Sequence, residues 1–177
     1  MPDRVRSVLT RTGVIVVGFL LAGAAAGVLW ERLWEPPVGV TFEDQWFLEP
    51  AGPDVSFAGI ALFVLIAFAL GLVLAVLSGL WVGHEVATVG AVLVAAALAG
   101  VVMYAVGTTL GPADPQLLAA GKPDFTPLPS DLGLTAPDRG RTQWHSTAFV
   151  ALPAGAMTGL VGMYLFGSRG FARRPRG

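Results

Sequence analysis

The residues able to carry chemistry are few and scattered. The chain has 177 residues with two histidines, twelve acids and no cysteine, which excludes thiolate catalysis, disulfides and Cys-ligated metals. His84 and Glu85 are adjacent and could act as a proton-accepting or metal-binding pair. One His and one Glu are too few ligands, and sequence neighbours in a short loop do not converge on one ion. A solvated turn is the better reading. His145 follows Trp144 and could titrate near neutrality against Asp138 or Glu49, although an imidazole beside an interfacial Trp needs no such role. The acids could in principle bind Ca²⁺ or perform acid–base hydrolysis, but they show no calcium-loop spacing. No phosphate-binding loop, dinucleotide fingerprint or Gly-x-Ser-x-Gly elbow occurs. The sequence therefore predicts no catalytic, cofactor-binding or metal-binding residues, and no enzyme.

What the chain has instead is apolar length. Hydrophobic residues make up 54% and charged residues 13%, about half the charged share of a soluble protein. Four blocks, at about 12–30, 57–81, 86–110 and 147–167, contain no Asp, Glu, Lys, Arg or His. At 1.5 Å per residue each reaches roughly 28 to 37 Å, enough to cross a hydrocarbon core of about 30 Å. The expected fold is an all-α membrane protein with four transmembrane helices in one membrane domain covering 1–177. Pro153 and the glycines of the fourth block weaken its hydrophobicity, but such residues are tolerated where neighbouring helices satisfy the backbone. The first block has a rival reading as a cleaved signal peptide, given its basic start and the small residues 22–26. Against that, its apolar pattern continues through Val28, Leu29 and Trp30.

Basic residues set the expected orientation. Arg4, Arg6, Arg11, Arg169, Arg173, Arg174 and Arg176 lie in the tails 1–11 and 168–177, whereas the loops 31–56 and 111–146 carry four basic residues in far more sequence. By the positive-inside rule both termini are cytoplasmic and both long loops are outer. The outer side has four basic against ten acidic residues, a balance of −6; the inner side has seven against two, +5. Trp30, Trp34 and Trp144 fall at the expected outer interface and Trp81 at the inner one, as an aromatic belt requires. With Arg169, Arg173 and Arg174 they are the expected interface anchors. Asn is absent, Lys occurs once and Ile three times. This depletion of residues with AT-rich codons points to a GC-rich bacterial genome, hence to a multi-pass protein of the bacterial cytoplasmic (inner) membrane.

The loops are not featureless. Pro36-Pro37 stops the first helix, Val38–Phe42 reads as a strand, Glu43-Asp44-Gln45 as a turn, and Trp46-Phe47-Leu48 as the return. A lone hairpin is marginal in water, so it needs the other outer loop or a partner to pack on. Asp114-Pro115 and Gly121 bracket a short helix, followed by an extended Pro-rich stretch, Pro123 to Pro129. The inner connection 82–85 is so short that spans two and three should be antiparallel neighbours. A faint parallel repeat relates Ala24–Val28 to Ala97–Val101 and Gly71–Val73 to Gly159–Val161.

Helix packing supplies the clearest motifs. Gly23-x3-Gly27, Gly71-x3-Ala75-x3-Gly79, Ala96-x3-Gly100 and Gly155-x3-Gly159 place small residues four apart, which lets helix backbones approach closely in lipid. These faces suit packing within the bundle and, separately, homo-oligomerisation. Ionisable groups, which pumps and transporters usually need within the membrane, are missing from all four blocks.

The junction Trp34-Glu35-Pro36-Pro37 with its short strand pair, Asp131-Leu132-Gly133-Leu134, and the stretch from Trp144 to Leu160 resemble an uncharacterised family of actinobacterial four-span membrane proteins. The resemblance implies architecture and no activity. The function expected is a non-enzymatic envelope scaffold or accessory subunit that presents its acidic outer loops to a membrane-protein partner or the cell wall. A small transporter or channel component is the alternative, and a membrane enzyme the third reading. The expected partners are the lipid bilayer and a membrane protein or a second copy, with no nucleic acid and no cofactor.

Overall fold

The structure, a computed structural model, describes residues 2–48, 53–80, 85–134 and 146–166. Four long helices dominate: α1 (Pro2–Leu33), α2 (Pro53–Gly79), α3 (Glu85–Leu110) and α5 (Ala151–Phe166), the last entered through a 3-10 turn at Thr147–Val150. Between α1 and α2 lie strands β1 (Val38–Phe42) and β2 (Gln45–Leu48). Between α3 and α5 lie a short helix α4 (Pro115–Ala119) and strand β3 (Pro127–Pro129). All four apolar blocks are helices long and apolar enough to cross a membrane.

The blocks become helices with local help at their ends. Ser146 caps the 3-10 turn by accepting from the Ala148 N–H at 3.3 Å. Pro153 stands in the first turn of α5, where a missing N–H costs nothing. Helix α1 starts at Pro2, so the N-terminal segment 1–11, expected as a tail, is helical from its second residue. Arginines at 4, 6 and 11 favour helix, and an apolar block was only a lower bound on its length.

Two close crossings organise the bundle. Helix α1 packs most extensively on α3, and α2 on α5. A methyl group on Gly23 would lie 2.6 Å from the carbonyl oxygen of Ala99, and one on Gly27 2.5 Å from that of Met103. A methyl on Gly71 would collide with the Leu152 carbonyl, one on Gly155 with the Phe68 carbonyl, and one on Gly159 would come within 2.5 Å of the Leu72 carbonyl. Partners advance together along both chains, so α1 runs parallel to α3 and α2 parallel to α5. Lighter contacts of α1 with α2 and of α3 with α5 close the ring. The short 82–85 connection predicts close packing of α2 on α3, yet these two helices touch only lightly. Chain proximity limits where a helix can go, but surfaces that admit close approach decide what it packs on.

Side-chain size is sorted radially. The inward positions of α3 are Thr88, Val92, Ala95, Ala96, Ala99 and Met103, with Gly100 beside them. Its outward positions include Leu93, Val94, Leu98 and Val101. Small residues inside and large aliphatic ones outside is the reverse of a water-soluble bundle and suits helices that associate without a hydrophobic drive.

At the end nearest the long loops, a chain of rings ties the helices together. Trp30 of α1 meets Phe63 of α2 edge-on at 4.9 Å, Phe63 meets Phe149 at 6.2 Å, and Phe149 meets Tyr104 of α3 at 5.4 Å. Such edge-to-face pairs add about 0.5–1.5 kcal/mol each beyond area burial. Trp30 is 0% exposed and donates its indole N–H to the Gly59 carbonyl at 2.9 Å. Expected as an interface anchor, it is a packing residue instead. Gly107 leaves room for its ring, since a methyl there would strike Trp30 Cε3.

Replacing Gly155 by Leu should lower thermal stability in detergent micelles by about 1–3 kcal/mol or more through overpacking. Replacing Gly90 by Ala, where a methyl meets nothing within 4 Å, should leave stability unchanged or raise it by up to about 1 kcal/mol. Equal losses in the two variants would contradict the packing described.

Candidate functional site

The fold is not all-helical. The two long loops combine into a three-stranded antiparallel sheet of order β2-β1-β3. The hairpin that the first loop predicts is present, and the third strand comes from the Pro-rich stretch of the second loop. Pairing runs Val40↔Phe47 and Thr41↔Trp46 on one side of β1, and Val38↔Pro129 and Val40↔Pro127 on the other.

The hairpin turn needs support from outside. Its two central residues, Glu43 and Asp44, have φ of 49° and 61°. That conformation closes a two-residue hairpin with the correct twist but favours Asn, Asp and Gly, so the cost of the left-handed region, about 1–2 kcal/mol, falls mainly on Glu43. The second loop offsets this cost. The Glu43 N–H donates to Asp124 Oδ1 at 3.0 Å, and Asp44 Oδ1 accepts from the Gly121 N–H at 2.9 Å.

Thr41 is the clamp between the loops. Its N–H donates to the Thr126 carbonyl at 3.1 Å, and its carbonyl accepts from the Phe125 N–H at 2.7 Å. Its hydroxyl donates to the Pro123 carbonyl at 2.7 Å and accepts from the Thr126 N–H at 3.0 Å. Thr41 is fully buried, and segment 123–126 satisfies each of its hydrogen-bonding groups, as burial demands.

The buried face of the sheet is built around one indole. Trp46 covers Gly39, where a methyl would sit 2.6 Å from Trp46 Cζ2, and donates its Nε1–H to the Leu128 carbonyl at 3.0 Å. Both sheet edges are closed. The Gln116 side-chain amide donates to the Trp46 carbonyl at 2.9 Å and accepts from the Trp46 N–H at 3.2 Å, imitating a neighbouring strand along β2. On β3, Pro127 and Pro129 have no N–H to offer. Edges protected in this way resist strand-to-strand association.

The opposite face is open and apolar. Val38, Phe42 and Phe47 are 51%, 43% and 49% exposed on it. Phe125 joins them, 70% exposed, its ring 5.9 Å from that of Phe42. Phe125 has φ 62°, a genuine strain for a bulky residue. A strained backbone that holds an exposed aromatic ring is the kind of outlier that points to function.

Asp131 follows β3, half-buried between the buried residues Ser130 and Leu132. Burial, the main cause, and the charge of Asp114 push its carboxyl above the usual carboxylate range, partly opposed by its own backbone hydrogen bond. Among the described residues no three His, Cys, Asp or Glu side chains are grouped to hold a metal.

The expected packing residues fall on the helix crossings. Gly23 and Gly27 face α3, Gly71 and Ala75 face α5, and Gly155 and Gly159 face α2. Gly79 meets Met163 and Leu160 of α5. Ala96 is buried, and Gly100 makes ordinary contact with Phe149 and Leu152. Trp34 is half-buried against Gly59. Trp81, Trp144, Arg169, Arg173, Arg174, His84 and His145 lie outside the described residues, as do Glu49 and Asp138. Thr41, Gln116, Asp124 and Phe125 were not expected to act together. Asp44 and Asp124 read in sequence as solvated acids, because their oxygens serve backbone groups 77 and 81 residues away, whereas Asp114 caps α4 through the Gln116 N–H, as its spacing predicts. No family model, curated protein or solved structure matches this chain. The fold alone therefore defines its class: a four-helix chain whose two loops form a capped, aromatic-faced sheet.

Thr41→Val should destabilise the subdomain by about 1–3 kcal/mol, because the Thr126 N–H loses its buried acceptor; hydrogen exchange at Thr126 would report it, and unchanged protection there would contradict the clamp. For Asp131, a folded pKa raised above the unfolded value gives stability that is complete below the unfolded pKa and lost as pH rises through the folded one. Asp131→Asn should therefore raise the melting temperature at pH 7, the difference vanishing below about pH 4.

Proposed function

We propose that this protein is a multi-pass integral membrane protein of the bacterial cytoplasmic membrane, with both termini cytoplasmic. In this reading it is a non-enzymatic scaffold or accessory subunit. Its loop-side subdomain lies outside the cytoplasm and docks a partner protein through the face of Val38, Phe42, Phe47 and Phe125. The membrane reading is supported by four long apolar helices, by large aliphatic residues on their outward surfaces, and by the arginine bias of the chain ends.

The single observation that carries the docking role is Phe125. A bulky residue at positive φ, with most of its ring exposed, lowers the stability of the free protein and gains little from its own fold. Contact with a partner restores the balance, because aromatic residues at the centre of an interface carry much of the binding energy. The blocked edges favour a partner that binds the face over one that adds a strand.

Crosslinking in native membranes through a photoreactive residue at position 47, followed by mass spectrometry, should recover one recurrent partner. Phe125→Gly relieves the backbone strain, so it should leave stability equal or higher while reducing partner recovery several-fold. Recovery of the chain alone in repeated experiments would refute the scaffold reading, as would partner capture unaffected by Phe125→Gly and Phe42→Ser together.

A further inference from the structure

Between α1 and α2 the bundle is open. A groove of about 610 Å³ runs between Ala22, Ala25 and Leu29 on α1 and Leu65, Ala69 and Val73 on α2. Its origin is a size mismatch. At the loop-side end, Trp30 bonds to the Gly59 carbonyl and Trp34 rests on Gly59, which holds the two helices an indole's width apart. One turn and more below, α1 offers only alanines to fill that width. Meanwhile α1 is drawn towards α3 and α2 towards α5 by the glycine crossings, so neither helix can turn to close the gap. A smaller hollow of about 150 Å³ continues towards the chain termini past Gly18 and Ser78.

Resting on the membrane-spanning reading above, we propose that this groove holds one acyl chain of a phospholipid with an ammonium-bearing headgroup, drawn from the leaflet on the loop side. Three features select this occupant. Residues 22 to 29 of a helix cover about 10 Å, most of one leaflet's share of a hydrocarbon core of about 30 Å, so the groove matches a single chain in depth. Its walls are apolar throughout. At the loop-side mouth Arg32 continues the face of Ala22, Ala25 and Leu29 at helical spacing and is exposed, with Glu31 and the exposed Glu35 flanking it. A phosphate meets the guanidinium in the geometry that Arg favours. The two carboxylates repel a headgroup of net negative charge and attract an ammonium. A helix from a second copy would fill the apolar groove but has no use for the paired charges at its mouth.

The test uses the full chain in nanodiscs doped with either phosphatidylethanolamine or phosphatidylglycerol, each bearing the same diazirine-labelled acyl chain. Peptide mapping after illumination should concentrate label on 22–29 and 65–73, several-fold above the outward face of α3 at 93–98. Phosphatidylethanolamine should label those peptides several-fold more than phosphatidylglycerol. Ala25→Phe, which fills the groove, should reduce that label several-fold, Arg32→Gln should lower labelling by both lipids, and Glu31→Gln with Glu35→Gln should remove the preference between them. Even labelling over all outward faces would overturn the proposal, as would equal labelling by the two lipids, indifference to Ala25→Phe, or, in a chain carrying a photoreactive residue at position 25, a crosslink to a second copy. Absence of label from all four helices would instead sink the membrane-spanning reading itself, and this proposal with it.

Discussion

Where α2 crosses α5, the backbone of each helix lies against the other with no side chain between them. Gly71 faces the Leu152 carbonyl, while Gly155 and Gly159 face the carbonyls of Phe68 and Leu72. The α1–α3 crossing repeats the device with Gly23 and Gly27. In a bilayer, burying an aliphatic side chain gains little, because lipid is as apolar as leucine. Helices associate there through dispersion contacts, which grow with closeness of approach. The rest of the architecture depends on these two crossings. They set which helices pair, fix where the loops begin and end, and force apart the helices that they do not join.

The loop-side sheet inherits its geometry from this arrangement. Parallel pairing of α1 with α3 and of α2 with α5 brings the ends of both long loops to one side of the bundle. Neither loop folds convincingly alone. The hairpin carries a turn that Glu43 disfavours, and the second loop contributes only a three-residue strand and a five-residue helix. Joined at Thr41, Trp46 and Gln116, each supplies what the other lacks: acceptors for the strained turn, a cover for the exposed strand edge, and a wall for the indole. The cost that remains is Phe125, and it faces outward.

The α1–α2 groove is the complement of the glycine crossings. A helix has a limited circumference, and α1 and α2 each commit their small-residue face elsewhere. What α1 turns to α2 is Trp30 at one end and, below Leu29, the small side chains of Ala22, Ala25 and Ala26, too short to reach the aliphatic wall of α2. Tight packing at two interfaces thus leaves a slot at a third.

Much of this was legible in the sequence. Four uncharged apolar blocks of about 19 to 25 residues are too long for ordinary strands and read as helices, and all four are helical. Asp114-Pro115 with Gly121 encoded a short helix through capping chemistry, and Val38–Leu48 encoded a hairpin through alternation and a polar turn. The glycine spacings marked faces able to approach closely. Local signals did not say which face meets which, because a motif four residues long is the same whether it packs on the next helix or the one after. The third strand was hidden because Pro127-Leu128-Pro129 has no strand pattern of its own and becomes one only by pairing with β1. Trp30 looked like a lipid anchor because its position along the helix is read from sequence, whereas the direction in which it points depends on Gly59, Phe63 and Gly107 in other helices. Sequence determined the elements, since these follow from neighbouring residues and their solvent. Tertiary structure decided pairing, strain and exposure, since those are properties of atoms brought together from distant parts of the chain.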